Sequence, residues 1–184
     1  SSSGSTQEPD LRIVGLFSDV NEEKIADIIH NVIFFNEVNK AAEDDSKKDI
    51  TFYLSTYGGN ADDMFAMYDM MRIVREDTDI ETIGLGKVMS AGVLLLAAGT
   101  KGKRKIGKNC RVMIHAVMGG NHGSLHNMMN EMEAIEQLQD MYCDALISET
   151  KLTRAKLKKM IERKVNVYLS AEEAIELGIA DEII

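Results

Sequence analysis

Gly86-Lys87-Val88-Met89-Ser90-Ala91-Gly92 is the stretch on which the fold turns. Before it, residues 80–85 are a strand candidate. After it, residues 91–98 are small and apolar and end at Gly99. A strand that turns through a serine into a small-residue helix closed by glycine is one α/β unit. A hydroxyl at such a turn lies where backbone N–H groups are free and developing negative charge is favoured. The ordinary reading of the same serine is a helix N-cap.

The same alternation continues outward. Upstream, Ile50, Phe52 and Leu54 alternate with Thr51, Tyr53 and Ser55, which predicts a strand broken by Gly58-Gly59. Met64, Met67, Tyr68, Met71 and Val74 then repeat at helical spacing. Further back, an apolar run at 11–17 precedes N-cap chemistry at 18–22 and a helical stripe of Ile25, Ile28, Ile29 and Val32. Downstream, Arg111-Val112-Met113-Ile114 reads as a strand ending at His115, and Leu125, Met128, Met129, Met132, Ile135 and Leu138 mark a long helix over 124–149. A shorter helix at 153–163 and one from Ser170 to Gly178 follow, the latter with a Ser170/Glu173 capping box. Strands alternating with helices predict an α/β fold with a largely parallel sheet. A histidine at a strand end can act as a general base, and Gly58-Gly59 can present N–H groups to an oxyanion. Taken singly, each is more often structural.

Composition narrows the partners. The 184 residues carry 30 acidic and 21 basic side chains, a net charge of -9, which disfavours generic binding to nucleic acid. Two cysteines cannot build a disulfide framework, and twelve methionines suit a reducing compartment. No signal peptide opens the sequence, and the longest apolar run, at 88–98, is too short for a bilayer and contains Ser90. A cytoplasmic protein with no membrane partner is expected. Residues 1–10 are Ser-rich and read as a disordered lead to a single domain at 11–184. Lys101, Lys103, Arg104, Lys105 and Lys108 are expected in a solvated hairpin or loop. His122 and His126 stand four apart without a companion carboxylate or thiol motif, so no metal or other cofactor is expected.

Five segments, in order and spacing, resemble the proteolytic subunit of the Clp protease, a self-compartmentalised serine peptidase. They are Ser55-Thr56-Tyr57-Gly58-Gly59, Val88-Met89-Ser90-Ala91-Gly92, residues 97–104, Arg111-Val112-Met113-Ile114-His115 and Tyr168-Leu169-Ser170-Ala171-Glu172-Glu173-Ala174. The resemblance covers about residues 12–184. It implies a Clp protease/crotonase-like α/β fold of repeated β-β-α units wound as a superhelix, with a protruding handle helix at about 119–149. It implies Ser90 as nucleophile, His115 as base and the N–H groups of Gly59 and Ala91 as oxyanion hole. Gly119, Gly120, Asn121, His122 and Gly123 would pair with an extended peptide substrate. The implied assembly is heptameric rings stacked in pairs around a chamber, fed by an AAA+ unfoldase ATPase or completed by an active paralogue.

The departures from the family bear on activity. Its third catalytic residue is an aspartate, and the matching position here is Asn166. An amide can orient an imidazole but adds no charge; in serine proteases the Asp-to-Asn change costs about 10⁴ in kcat. The ring-bridging charged pair is replaced by Lys164-Val165, the usual Met after the serine by Ala91, and the prolines at two further places by Val117 and Tyr57. The gating N-terminal hairpin has only residues 1–10 to draw on, and Thr51 replaces one aromatic of the ATPase-docking pocket while Tyr53 keeps another. Two functions follow: an ATP-dependent serine endopeptidase of reduced activity, or a catalytically weak subunit that completes a mixed ring. A crotonase-type acyl-thioester enzyme shares the fold but does not account for the Ser–His spacing.

Overall fold

Three parallel strands, β1 (Ile13–Leu16), β2 (Ile50–Thr56) and β3 (Ile80–Met89), are joined through α1 (Glu22–Ala41) and α2 (Ala61–Val74). The computed structural model describes residues 4, 8–119, 124–163 and 165–184. Asn21 and Asn60 cap the two helices by accepting from the N–H groups of Lys24 and Asp63. Past β3 come α3 (Ala91–Ala97), β4 (Arg104–Ile106), β5 (Arg111–Ile114), α4 (Leu125–Glu149), α5 (Arg154–Glu162), β6 (Val167–Leu169), α6 (Ala171–Glu176) and β7 (Glu182–Ile183). The described residues thus form an α/β fold with a seven-stranded, mostly parallel sheet and six helices. None of those helices is long and apolar enough to cross a membrane.

β3 organises the sheet because it changes partner along its length. Thr82–Gly84 pair with β4, whereas Lys87–Met89 pair with β5. Between the two sets lies Gly86 at φ 69°, where the β2–β3 register also slips. A left-handed residue there is costly for any side chain with a Cβ. The kink sends the last residues of β3 away from β4 and toward β5, and so aims Ser90. α3 follows with all seven residues buried, packed against β3, α2 and α4. A helix apolar on all sides belongs in a core. Phe52, Leu54, Met64, Met67 and Met71 join it in one continuous cluster. The Met stripe of α2 is therefore core.

The basic segment at 101–108 is not the solvated loop its composition suggests. Arg104–Ile106 is an interior strand, paired with β3 on one side and β7 on the other. Lys103 binds Asp49 and Asp79, Lys105 binds Glu81, and the buried Arg104 binds Asp181; only Lys101 and Lys108 of the group stay exposed. These cations meet carboxylates from distant parts of the chain, which spacing along the sequence does not reveal. Arg104 also donates to the carbonyls of Ala97 and Glu149, the last residues of α3 and α4. One guanidinium thus serves two helix C-termini, whose carbonyls have no intrahelical donors. Glu149 itself is buried. Burial alone would raise its carboxyl, but the two-pronged Arg75 guanidinium and the Tyr68 hydroxyl hold it below the usual range. Asp10, at the end of the stretch expected to be a disordered lead, pairs with Arg12 and Lys48.

Candidate active site

The kinked end of β3, the Gly58-Gly59 loop after β2, the end of β5 and the inner face of α4 meet around a cleft of about 510 Å³. Ser90, Ala91, Gly58, Gly59 and His115 all line it, so the structure brings three separate sequence motifs to one place.

Ser90 occupies the position before α3 but does not cap it: its side chain makes no capping bond. Its backbone lies at φ 56°, ψ −118°, and it is the one non-glycine residue with positive φ among those described. That conformation costs on the order of 1–3 kcal/mol and persists only where the surroundings enforce it. Three contacts do so here. The Ser90 N–H donates to the Met113 carbonyl at 2.7 Å, its carbonyl accepts from the buried Tyr142 hydroxyl at 2.7 Å, and Val93 N–H donates to the same carbonyl. A strained serine between strand and helix, with its hydroxyl unbonded among the described residues, is a turn that presents an oxygen to the cleft.

Gly58 and Gly59 are required where they stand. Gly58 has φ 101°, and a Cβ on it would sit 2.8 Å from Ser90 Cβ. A Cβ on Gly59 would overlap the Val20 carbonyl oxygen. The loop is pinned there by Val20, whose N–H donates to Gly58 and whose carbonyl accepts from Asn60. Gly58 N–H in turn donates to Thr56 Oγ1. The Gly59 N–H lies between these bonds and is not used by them, while the Ala91 N–H opens α3, where helices leave N–H groups without an internal acceptor. Two donors beside one hydroxyl are what a developing oxyanion needs.

His115 follows β5 and is half-buried in the same cleft. Its Nδ1 lies 2.5 Å from the carbonyl oxygen of Ala116. The next N–H, of Val117, donates to Gln139 Oε1 at 2.6 Å, and Gln139 Nε2 donates to Cys143 Sγ. Asn166 is placed differently. The antiparallel register of β5 with β6 pairs Ile114 with Val167, so Asn166 is the residue that continues it opposite His115. Its side chain is exposed, is absent from the cleft lining and forms no hydrogen bond with His115. Gly119 is described and lies outside any strand; Gly120, Asn121, His122 and Gly123 lie outside the described residues.

Asp19, Asp62 and Glu131 rim the cleft, and no Lys or Arg lines it among the described residues. Met118, Ile135 and Leu138 form its apolar flank. No group of three or more His, Cys, Asp or Glu able to hold a metal occurs among the described residues. Tyr142 and Gln139 are the contributors that sequence reading missed. Both are polar groups on the inward stripe of α4, next to Ile135 and Leu138, and that interruption of an apolar face was the available signal. Burial pushes the Tyr142 hydroxyl up, so it stays a proton donor to Ser90. The arrangement suits acyl transfer: a hydroxyl, an imidazole and paired backbone donors around one cleft. Across residues 7–184 the chain matches the family model described as Clp protease, and it belongs to that family of peptidases.

Proposed function

We propose that the chain is a serine-type endopeptidase that cuts extended, unfolded peptides inside a ring-shaped chamber. His115 takes the Ser90 proton through Nε2 as Oγ attacks the peptide carbonyl. The N–H groups of Gly59 and Ala91 receive the oxyanion, and His115 returns the proton to the leaving amine. Water then reverses the sequence and frees the acid. Residues 119–123 are the stretch that binds the extended substrate. The observation that carries this reading is Ser90: a non-glycine residue held at φ 56° whose side chain does not cap α3, in the same cleft as His115.

Heptameric rings stacked in pairs, a cytoplasmic location and feeding by an AAA+ unfoldase complete the proposal. The exposed Leu125, Met129 and Met132 on α4 support an apolar ring-to-ring contact. Asn166 supports a second reading, a weak subunit that completes a mixed ring, because its exposed amide offers His115 no charge. Hydrolysis of fluorogenic peptides separates the two. Turnover by this chain alone that vanishes in Ser90→Ala supports the endopeptidase. Turnover only when the chain is mixed with an active family member, unchanged by Ser90→Ala, supports the assembly subunit.

A further inference from the structure

We propose that Gln139 is a positioning residue for catalysis, acting through one peptide group, and that the Ala116 carbonyl holds the His115 imidazole in place of a side-chain carboxylate. This deepens the peptidase reading and rests on it. The Ala116 carbonyl and the Val117 N–H are the two ends of a single planar peptide unit. His115 Nδ1 lies 2.5 Å from the first end, and Gln139 Oε1 accepts from the second at 2.6 Å. Fixing the N–H therefore fixes the direction of the carbonyl. A carbonyl held there selects the tautomer with the proton on Nδ1, which leaves the Nε2 lone pair for the Ser90 hydroxyl. The chain of bonds also polarises the peptide, so the carbonyl meets a forming imidazolium more strongly than a free one does.

The Gln139 amide orientation is fixed by its partners. Oε1 must accept from Val117, and Nε2 then donates to Cys143 Sγ at 3.3 Å, one turn further along α4. Three residues on from Gln139, on the same face of the helix, Tyr142 donates to the Ser90 carbonyl at 2.7 Å. One stretch of α4 thus holds both halves of the site, the nucleophile turn through Tyr142 and the histidine segment through Gln139. Exposed Asn166 makes no such bond.

The test uses the full chain in its assembled state, with Gln139→Leu and Gln139→Glu. Leucine removes the acceptor; glutamate restores one. Losing one such hydrogen bond corresponds to roughly a twofold to tenfold effect. Gln139→Leu is expected to lower kcat within that range with KM unchanged, and Gln139→Glu to return kcat to within about threefold of the parent on the same scale. Imidazole ¹⁵N shifts of His115 give a readout independent of activity: the Nδ1-protonated tautomer in the parent and in Gln139→Glu, a mixture in Gln139→Leu. If the parent shows no Ser90-dependent turnover, the peptidase reading fails while the ¹⁵N shifts still decide this inference. An Nε2-protonated His115 in the parent, or a Gln139→Leu protein with unchanged kcat and tautomer, overturns it.

Discussion

Replacing Arg104 tests how the sheet and the two helices that frame the cleft are held together. Its side chain is 5% exposed and bonds through Nε and Nη2 to Asp181, and through Nη1 to the carbonyls of Ala97 and Glu149. In Arg104→Met two helix-terminal carbonyls lose their donor inside the protein, at about 1–3 kcal/mol each. Asp181 is less affected, since it is 24% exposed and keeps the N–H groups of Gly102 and Arg104. The loss should total about 3–5 kcal/mol, the range for breaking a buried pair. With a urea slope of about 2 kcal/mol/M, the midpoint falls by about 2 M at fixed protein concentration. Arg104→Lys keeps the charge but cannot reach all four acceptors, and should fall in between. The pH dependence has a definite sign. The Arg104 guanidinium holds the Asp181 carboxyl below the usual range. Its stabilisation is therefore complete above the ordinary carboxylate pKa, about 4, and disappears as pH falls through the lower folded value. Asp181→Asn should flatten that acid limb. A midpoint shift below about 0.5 M for Arg104→Met refutes the reasoning, because a fully satisfied buried cation cannot be that dispensable.

Gly59→Ala should displace the loop from Val20 and lower kcat by about 10²–10³, the loss for one oxyanion donor, with a much smaller change in the urea midpoint. Asn166→Asp adds a charge at an exposed position while His115 Nδ1 is engaged by Ala116, so turnover should rise by less than about tenfold. A gain approaching about 10⁴ means that His115 turns to position 166 as in serine proteases with a buried aspartate. Met132→Glu puts a charge on an apolar face where Met132 is 60% exposed, and sedimentation velocity should show larger assemblies replaced by smaller ones. A parent protein that is monomeric at micromolar concentration removes the basis for that expectation.

Periodicity made the helices and the central strands legible. The stripes Ile25-Ile28-Val32 and Met64-Met67-Met71 are buried as their spacing requires, and the Ser170/Glu173 capping box is formed. Residues 101–108 read as a solvated loop because a run of cations looks solvated until its partners are known. Asp49, the neighbouring Asp79 and Glu81, and Asp181 come from three other places in the chain. The short strands β6 and β7 carry too few residues for any period to show; pairing with β5 and β4 creates them. At the site, Ser90, His115 and the glycine pair stood out because each interrupts an element. The roles of Gln139 and Tyr142 could not be read, since a polar residue inside a helix stripe does not announce which main-chain atom it meets. Asn166 was legible as a departure from the family pattern, and its solvent exposure was not.

Labelling with a fluorophosphonate tests the central claim most directly. A competent Ser90 forms an Oγ–P bond with loss of fluoride, and intact mass followed by peptide mapping locates the adduct. One adduct per subunit on Ser90, lost in Ser90→Ala and slowed in His115→Ala, is the outcome the geometry requires. An adduct on a different serine that persists in Ser90→Ala contradicts the account.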